Sequence, residues 1–185
     1  VRPDRYASID NLYTATVYEK GAELIRALKT YIGADAFKRG MDLYFEKYDG
    51  TATTIEAFYE GFEEAAGFDL SRFRTWYSQA GTPTVTVERV EVEGSNSPRL
   101  RLTQANRPTP GQTEKKPVPI PLRMTAFTAD GTEINPETGE PRDGQDEDVV
   151  LLIDEVTELQ LAPNAADALI SANRNFSAPV RIKDE

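Results

Sequence analysis

The chain has 185 residues and a formal net charge of −10, with no cysteine and no histidine. This length predicts one domain or two small ones. The acidic balance argues against a nucleic-acid backbone or an anionic membrane surface as a partner, and no apolar run reaches the roughly 18 residues of a membrane-spanning helix. Without cysteine or histidine, the chain cannot build a serine–histidine triad, a cysteine nucleophile or a histidine zinc site.

The composition changes abruptly near Gly81. All 8 tyrosines and the only tryptophan precede this residue, whereas 11 of the 12 prolines follow it. Such an asymmetry is typical of two structural units of different class. We therefore predict an α+β chain, with a helical domain over residues 1–81 and a β domain over residues 82–185.

Apolar residues at helical spacing predict four helices in the first domain. The first helix covers residues 17–32 and ends at Gly33, and the second covers residues 37–48. The third begins at a capping box, with Thr53 as the N-cap and Glu56 three residues later. The apolar residues expected on the third and fourth helices are Ile55, Phe58, Phe62, Ala66, Phe73, Trp76 and Tyr77.

Alternating apolar residues predict about seven short strands in the second domain. The clearest alternation runs from Ile120 to Ala126, and the hairpin signal Asp130-Gly131 follows it. This number of strands, with turn signals between them, is typical of an antiparallel immunoglobulin-like (Ig-like) sandwich.

Five segments carry a resemblance to a known family. They include a Tyr-Glu-Lys-Gly motif at residues 18–21, and they lie at residues 17–23, 40–46, 49–52, 73–83 and 175–180. Through these segments the chain resembles the zinc aminopeptidase N family of gluzincin metallopeptidases, especially its bacterial members, over essentially its whole length. The resemblance implies that residues 1–81 are the last helices of a thermolysin-like catalytic domain, followed by an Ig-like β-sandwich over residues 82–185.

The resemblance also implies roles for two tyrosines. The tyrosine of the family motif is catalytic and corresponds to Tyr18, whose hydroxyl would donate a hydrogen bond to the oxyanion formed when zinc-bound water attacks a peptide carbonyl. Tyrosine hydroxyls, which ordinarily titrate near a pKa of about 10, remain donors at neutral pH. Tyr13 is a candidate substrate-binding residue. The alternative for both is an aromatic side chain that packs against its helical neighbours. Glu19 and Lys20 match the motif without an assigned role.

Several motifs of the family are absent from these 185 residues, namely the His-Glu-x-x-His zinc motif, the glutamate ligand and a Gly-Ala-Met-Glu-Asn motif. In the family they precede the tyrosine motif, and a helical domain follows the sandwich. We therefore expect a fragment that supplies no metal ligand, binds no zinc and is inactive alone. Its parent would use zinc, act on peptide substrates and, as a bacterial protein without a signal sequence in this segment, be cytoplasmic.

Truncation would also leave an apolar helical face exposed. Tyr13, Leu24 and Phe37 are candidates for this face, which is a candidate dimer surface. A different hypothesis makes the chain a non-catalytic interaction or spacer module, with an Ig-like sandwich and a helical adaptor.

Acidic side chains offer weaker candidate sites. Residues 143–148 could hold a hard cation, but a solvated acidic loop is favoured. Glu46 and the pair Glu63-Glu64 are typical of an exposed helix face rather than of an acid–base pair.

Overall fold

A computed structural model of the chain describes residues 7–94, 97–142 and 148–184. It contains two compact units, Val1–Ser78 and Gln79–Glu185, here called the helical unit and the sandwich unit. Helices in the first and strands in the second confirm the predicted α+β class. No helix in the described ranges is long and apolar enough to cross a membrane.

The helical unit contains the four predicted helices. They are α1 (Gly21–Ile32), α2 (Ala34–Tyr48), α3 (Ile55–Ala66) and α4 (Ser71–Ser78), preceded by a 3-10 turn (Ile9–Leu12) and a π-helical turn (Thr16–Lys20). Gly33 separates α1 from α2 with a φ of 85°, a conformation that glycine adopts readily because it has no Cβ.

The N-cap of α3 differs from the predicted one. Thr54, not Thr53, has the extended conformation of a cap, and its hydroxyl oxygen accepts a hydrogen bond from the backbone N–H of Ala57 at 3.2 Å. The predicted cap was wrong by one residue, because an N-cap oxygen must reach the second or third N–H group of the helix.

The core of the helical unit is largely aromatic. Its large and almost fully buried side chains are Leu24, Leu28, Tyr59, Phe62, Leu70, Phe73 and Trp76. The expectation that Leu24 lies on an exposed face was therefore wrong, because Leu24 and Leu28 share the buried stripe of α1. Phe37 is half-buried, with its ring 5.1 Å from that of Phe62, and Tyr13 is exposed.

The sandwich unit contains eight strands within the described residues. They are β1 (Thr84–Val90), β2 (Arg99–Ala105), β3 (Ile120–Phe127), β4 (Glu133–Ile134), β5 (Asp148–Leu152), β6 (Val156–Gln160), β7 (Leu169–Ser171) and β8 (Arg181–Asp184). One sheet has the order β6-β2-β1-β8, and the other has the order β4-β3-β5 with β7 also paired to β3. All pairs are antiparallel except β1 with β8, which is parallel and departs from the purely antiparallel prediction.

Gln104 is one of three buried polar residues in the described part of the sandwich unit. Its amide nitrogen donates to the carbonyl oxygens of Val118 at 3.0 Å and Asp154 at 2.9 Å, and its amide oxygen accepts from the N–H of Val118 at 3.0 Å. A buried amide is tolerated only when its donors and acceptor are paired. Gln104 therefore ties β2 to the segments that precede β3 and follow β5.

Candidate active site

Tyr18 lies in the π-helical turn immediately before α1. The hydroxyl oxygen of Thr14 accepts a hydrogen bond from the backbone N–H of Val17 at 3.3 Å, and the carbonyl oxygen of Thr14 accepts one from the N–H of Tyr18 at 3.1 Å. A π-helical turn holds one more residue than an α-helical turn, and such turns are often found at functional sites. Thr14 therefore fixes the start of the segment that presents Tyr18.

The structure brings together the two tyrosines that the sequence singled out. The ring centroids of Tyr13 and Tyr18 are 6.4 Å apart, with 30° between the ring planes. The two side chains are 60% and 61% exposed. Within the described ranges, no hydrogen bond reaches the Tyr18 hydroxyl. That hydroxyl is therefore available to donate to a bound molecule.

Lys20 ends the π-helical turn and contacts α4. Its ammonium nitrogen lies 5.8 Å from the ring centroid of Trp76, and Trp76 is only 1% exposed. A cation at this distance from an indole face is attracted by the quadrupole of the ring. Sequence reasoning gave Lys20 no role, and its position four residues before the apolar residue Leu24 was the available signal that Lys20 lies on the buried side of the helix.

Glu63 and Glu64 have structural partners in the helical unit. Glu63 forms an ion pair with Arg74 at 2.8 Å and accepts a hydrogen bond from the N–H of Leu70 at 3.0 Å. Glu64 forms an ion pair with Lys47 at 2.7 Å, and its hydrogen bond and charge raise the pKa of the Lys47 ammonium. These contacts agree with the reading of both glutamates as part of a helix surface.

The described residues do not fit a zinc site. Across residues 7–94, 97–142 and 148–184, no group of three or more acidic, histidine or cysteine side chains is arranged to hold a metal ion. Of the acidic stretch 143–148, only Asp148 is described, and it pairs with Arg142 and Asn135. Residues 143–147 lie outside the described residues.

A cleft of about 460 Å³ lies in the sandwich unit and is lined in part by Arg89, Asp167 and Asp184. Arg89 donates to the carbonyl oxygen of Ala168 at 2.7 Å, so its guanidinium already has a structural partner. None of the residues that the sequence predicted to be functional lines this cleft.

Comparison with known proteins links both units to one class of enzyme. Residues 81–185 match the family described as "Domain of unknown function (DUF3458) Ig-like fold", and residues 1–77 match the "Peptidase family M1 domain". The chain is 38% identical over 184 residues to "Aminopeptidase N" of Escherichia coli K12, which covers 99% of this chain and 21% of that protein. It is 64% identical over 88 residues to "Aminopeptidase N" of Caulobacter vibrioides, which covers 48% of this chain and 10% of that protein.

A solved structure agrees with these matches. The crystal structure of Legionella pneumophila aminopeptidase A in complex with aspartic acid superposes with a TM-score of 0.80 and 28% identity, covering 97% of this chain and 19% of that one. The chain thus spans about a fifth of the length of the Escherichia coli relative.

Proposed function

This chain belongs to the aminopeptidase N family of M1 peptidases, with a DUF3458 Ig-like domain over residues 81–185, and we propose that it is part of a longer zinc enzyme that removes N-terminal amino acids from peptides. The matches of both units to proteins named aminopeptidase support this proposal. Because the part of the chain that the structure describes does not fit a zinc site, we propose that other parts of the longer protein hold the metal. The proposed domain limits are residues 1–81 and 82–185.

Tyr18 is the proposed catalytic residue of this chain. Its hydroxyl donates a hydrogen bond to the carbonyl oxygen of the scissile peptide bond as negative charge develops there. The observation that carries this role is an exposed tyrosine with no hydrogen-bond partner in the described part of the chain, on a turn whose start is fixed by Thr14. A donor aimed at a developing oxyanion typically contributes about 100-fold to 1000-fold to the rate.

Tyr13 is the proposed substrate-binding neighbour of Tyr18. Its ring stacks on the Tyr18 ring and is largely exposed, so it can offer an apolar surface to a peptide side chain beside the reacting carbonyl. The sandwich unit has a structural role in this proposal, and the chain is inactive by itself because the metal and its ligands are supplied elsewhere.

The proposed partners are peptide substrates and the remaining domains of the same longer protein. The exposed surface around Tyr13 is also a proposed dimer contact. Sedimentation of the 185-residue chain as a strict monomer at high concentration would contradict that contact. The bacterial relatives underlie the further proposal of a cytoplasmic location, which localisation of the tagged longer protein tests.

The test is Tyr18→Phe in the longer enzyme, loaded with zinc. We expect kcat to fall by about 100-fold to 1000-fold with KM nearly unchanged, because the lost hydrogen bond acts mainly in the transition state. Tyr48→Phe is the matched control, since the Tyr48 hydroxyl bonds only to the Glu60 carboxylate on the helix surface, at 3.2 Å, among the described residues. Equal turnover in wild type and Tyr18→Phe would exclude the proposed role, and a longer protein without peptidase activity would favour the non-catalytic module.

A further inference from the structure

Tyr18 has few contacts of its own that hold its side chain in one direction. It is 61% exposed, and the Tyr13 ring on which it stacks is 60% exposed. The direction of its hydroxyl therefore depends on the backbone of the π-helical turn, Thr16–Lys20. A slip of one residue in a helix rotates a side chain by about 100° about the axis, which would move the hydroxyl away from the position it now occupies.

The two ends of this turn are held in different ways. At the start, Thr14 accepts hydrogen bonds from the N–H groups of Val17 and Tyr18. At the end, the backbone passes into Gly21 with φ −60° and ψ −48°, which is ordinary helical geometry. There the N–H of Gly21 also donates to the carbonyl oxygen of Tyr18, and α1 follows directly. A side-chain contact with another helix would add a tertiary restraint to these local backbone bonds.

The side chain of Lys20 makes that contact. Lys20 is half-buried, and its ammonium lies 5.8 Å from the ring centroid of Trp76. Trp76 is 1% exposed on α4, so the surrounding core holds its indole ring in place. The attraction between a cation and an indole face increases as water is removed, and the partial burial of Lys20 supplies that condition.

We propose that Lys20 is a positioning residue for Tyr18: its contact with Trp76 ties the end of the π-helical turn to α4 and keeps the turn in the register that presents the Tyr18 hydroxyl. This inference rests on the function proposed for Tyr18. It assigns Lys20 no contact with substrate.

Three variants separate the charge of Lys20 from its bulk. Lys20→Met keeps a long apolar side chain and removes the charge, whereas Lys20→Arg keeps a cation that can lie on the indole. Lys29→Met is the matched control, because Lys29 is an exposed lysine in the last turn of α1. Trp76 is the only tryptophan of the 185-residue chain, so its emission during urea unfolding of that chain shows whether each variant folds.

The kinetic test uses the zinc-loaded longer enzyme. We expect Lys20→Met to lower kcat by about threefold to tenfold, the size of one cation–π contact, with KM nearly unchanged. Lys20→Arg should retain most of the turnover, and Lys29→Met should behave as wild type.

The double variant Lys20→Met with Tyr18→Phe decides the mechanism. If Lys20 acts through Tyr18, the double variant is no slower than Tyr18→Phe alone, because residues that act as one unit are not additive. The same fold loss from Lys20→Met in both backgrounds, or no loss in either, would overturn the inference. An inactive wild type, or a fully active Tyr18→Phe, would instead refute the proposed function and remove the inference with it.

Discussion

Two of the tyrosine pairs in the helical unit differ in ring packing, burial and hydrogen bonding. Tyr59 and Tyr77 meet edge to face, with ring centroids 5.6 Å apart and hydroxyl oxygens 3.2 Å apart. Tyr13 and Tyr18 stack at 6.4 Å with both rings exposed. Tyr59, by contrast, is 0% exposed. Tyr59 is part of the core with Tyr77 half-buried beside it, whereas Tyr13 and Tyr18 lie at the surface ahead of α1.

The difference in burial explains why the hydroxyls of one pair are hydrogen-bonded within the fold and the Tyr18 hydroxyl of the other pair is accessible. The Tyr59 hydroxyl donates to the Tyr77 hydroxyl, and burial raises the pKa of both groups above the ordinary value of 10.0. Both hydroxyls of that pair are thus committed to the fold. In the described part of the chain the Tyr18 hydroxyl has no such commitment, so it can serve a substrate. Accessibility, more than residue type, therefore separates the candidate catalytic tyrosine from the structural ones.

The largest predicted difference is in stability, when one tyrosine of each pair is replaced by alanine. Tyr59→Ala removes a fully buried ring that packs on Phe73 and Arg74, and it should lower the free energy of unfolding by about 3–5 kcal/mol. Tyr13→Ala removes an exposed ring and should change it by no more than about 0.5 kcal/mol. Urea unfolding of the 185-residue chain measures both, and equal losses would contradict the contrast.

A smaller effect is expected where α2 crosses α3, the helix that carries Tyr59. Gly40 is buried there, and a Cβ at this position would overlap the ring of Phe62. Gly40→Ala should therefore lower the free energy of unfolding by about 1–2 kcal/mol, because overpacking outweighs the gain in helix propensity.

The size of the Phe62 ring is the matched test of that clash. In a Phe62→Leu background, Gly40→Ala should cost less than it does in the wild-type chain, because neighbouring substitutions that relieve one clash are coupled. The same cost in both backgrounds would show that the close approach of Gly40 and Phe62 is not the cause.

The burial of Tyr59 also predicts that the free energy of unfolding falls at alkaline pH. Because burial raises the pKa of Tyr59, its neutral form is favoured in the folded state, so its contribution is complete below about pH 10 and is lost as the unfolded chain ionises above that value. The loss approaches about 1.4 kcal/mol per pH unit for each such group.

Tyr59→Phe should make the decline in unfolding free energy between pH 9 and pH 11 shallower than in the wild type. Tyr13→Phe, at an exposed position, is the control and should follow the wild-type curve. If the unfolding free energy of Tyr59→Phe fell as steeply between pH 9 and pH 11 as that of the wild type, ionisation of the Tyr59 hydroxyl would not be the cause of the decline.

Local signals in the sequence were sufficient to predict most of the helices and strands, and a family motif singled out the candidate tyrosines, whose stacking only the structure shows. Helical periodicity placed α1 to α4, and alternation located β3. The Tyr-Glu-Lys-Gly motif led to Tyr18, which the structure finds exposed beside Tyr13. These features depend on neighbours in the chain, which is why a pattern in the sequence could predict them.

Features that depend on distant segments were not predictable in the same way. The parallel pairing of β1 with β8 joins residues nearly a hundred positions apart, and no local alternation specifies strand direction. Tyr59 lies one residue beyond Phe58, yet its burial depends on Phe73 and Tyr77 in α4. The contact of Lys20 with Trp76 likewise joins α4 to a turn far away in sequence.

The most decisive test of the role proposed for Tyr18 is the turnover of the proposed longer zinc enzyme, measured for Tyr18→Phe beside Tyr59→Phe. We predict that Tyr18→Phe lowers kcat by about 100-fold to 1000-fold without loss of folding, because the proposed role of this hydroxyl is to donate a hydrogen bond to the developing oxyanion. Tyr59→Phe should fold less stably by about 1 kcal/mol while keeping turnover within about twofold of wild type. A large loss of turnover in Tyr59→Phe with none in Tyr18→Phe would contradict the catalytic role proposed for Tyr18.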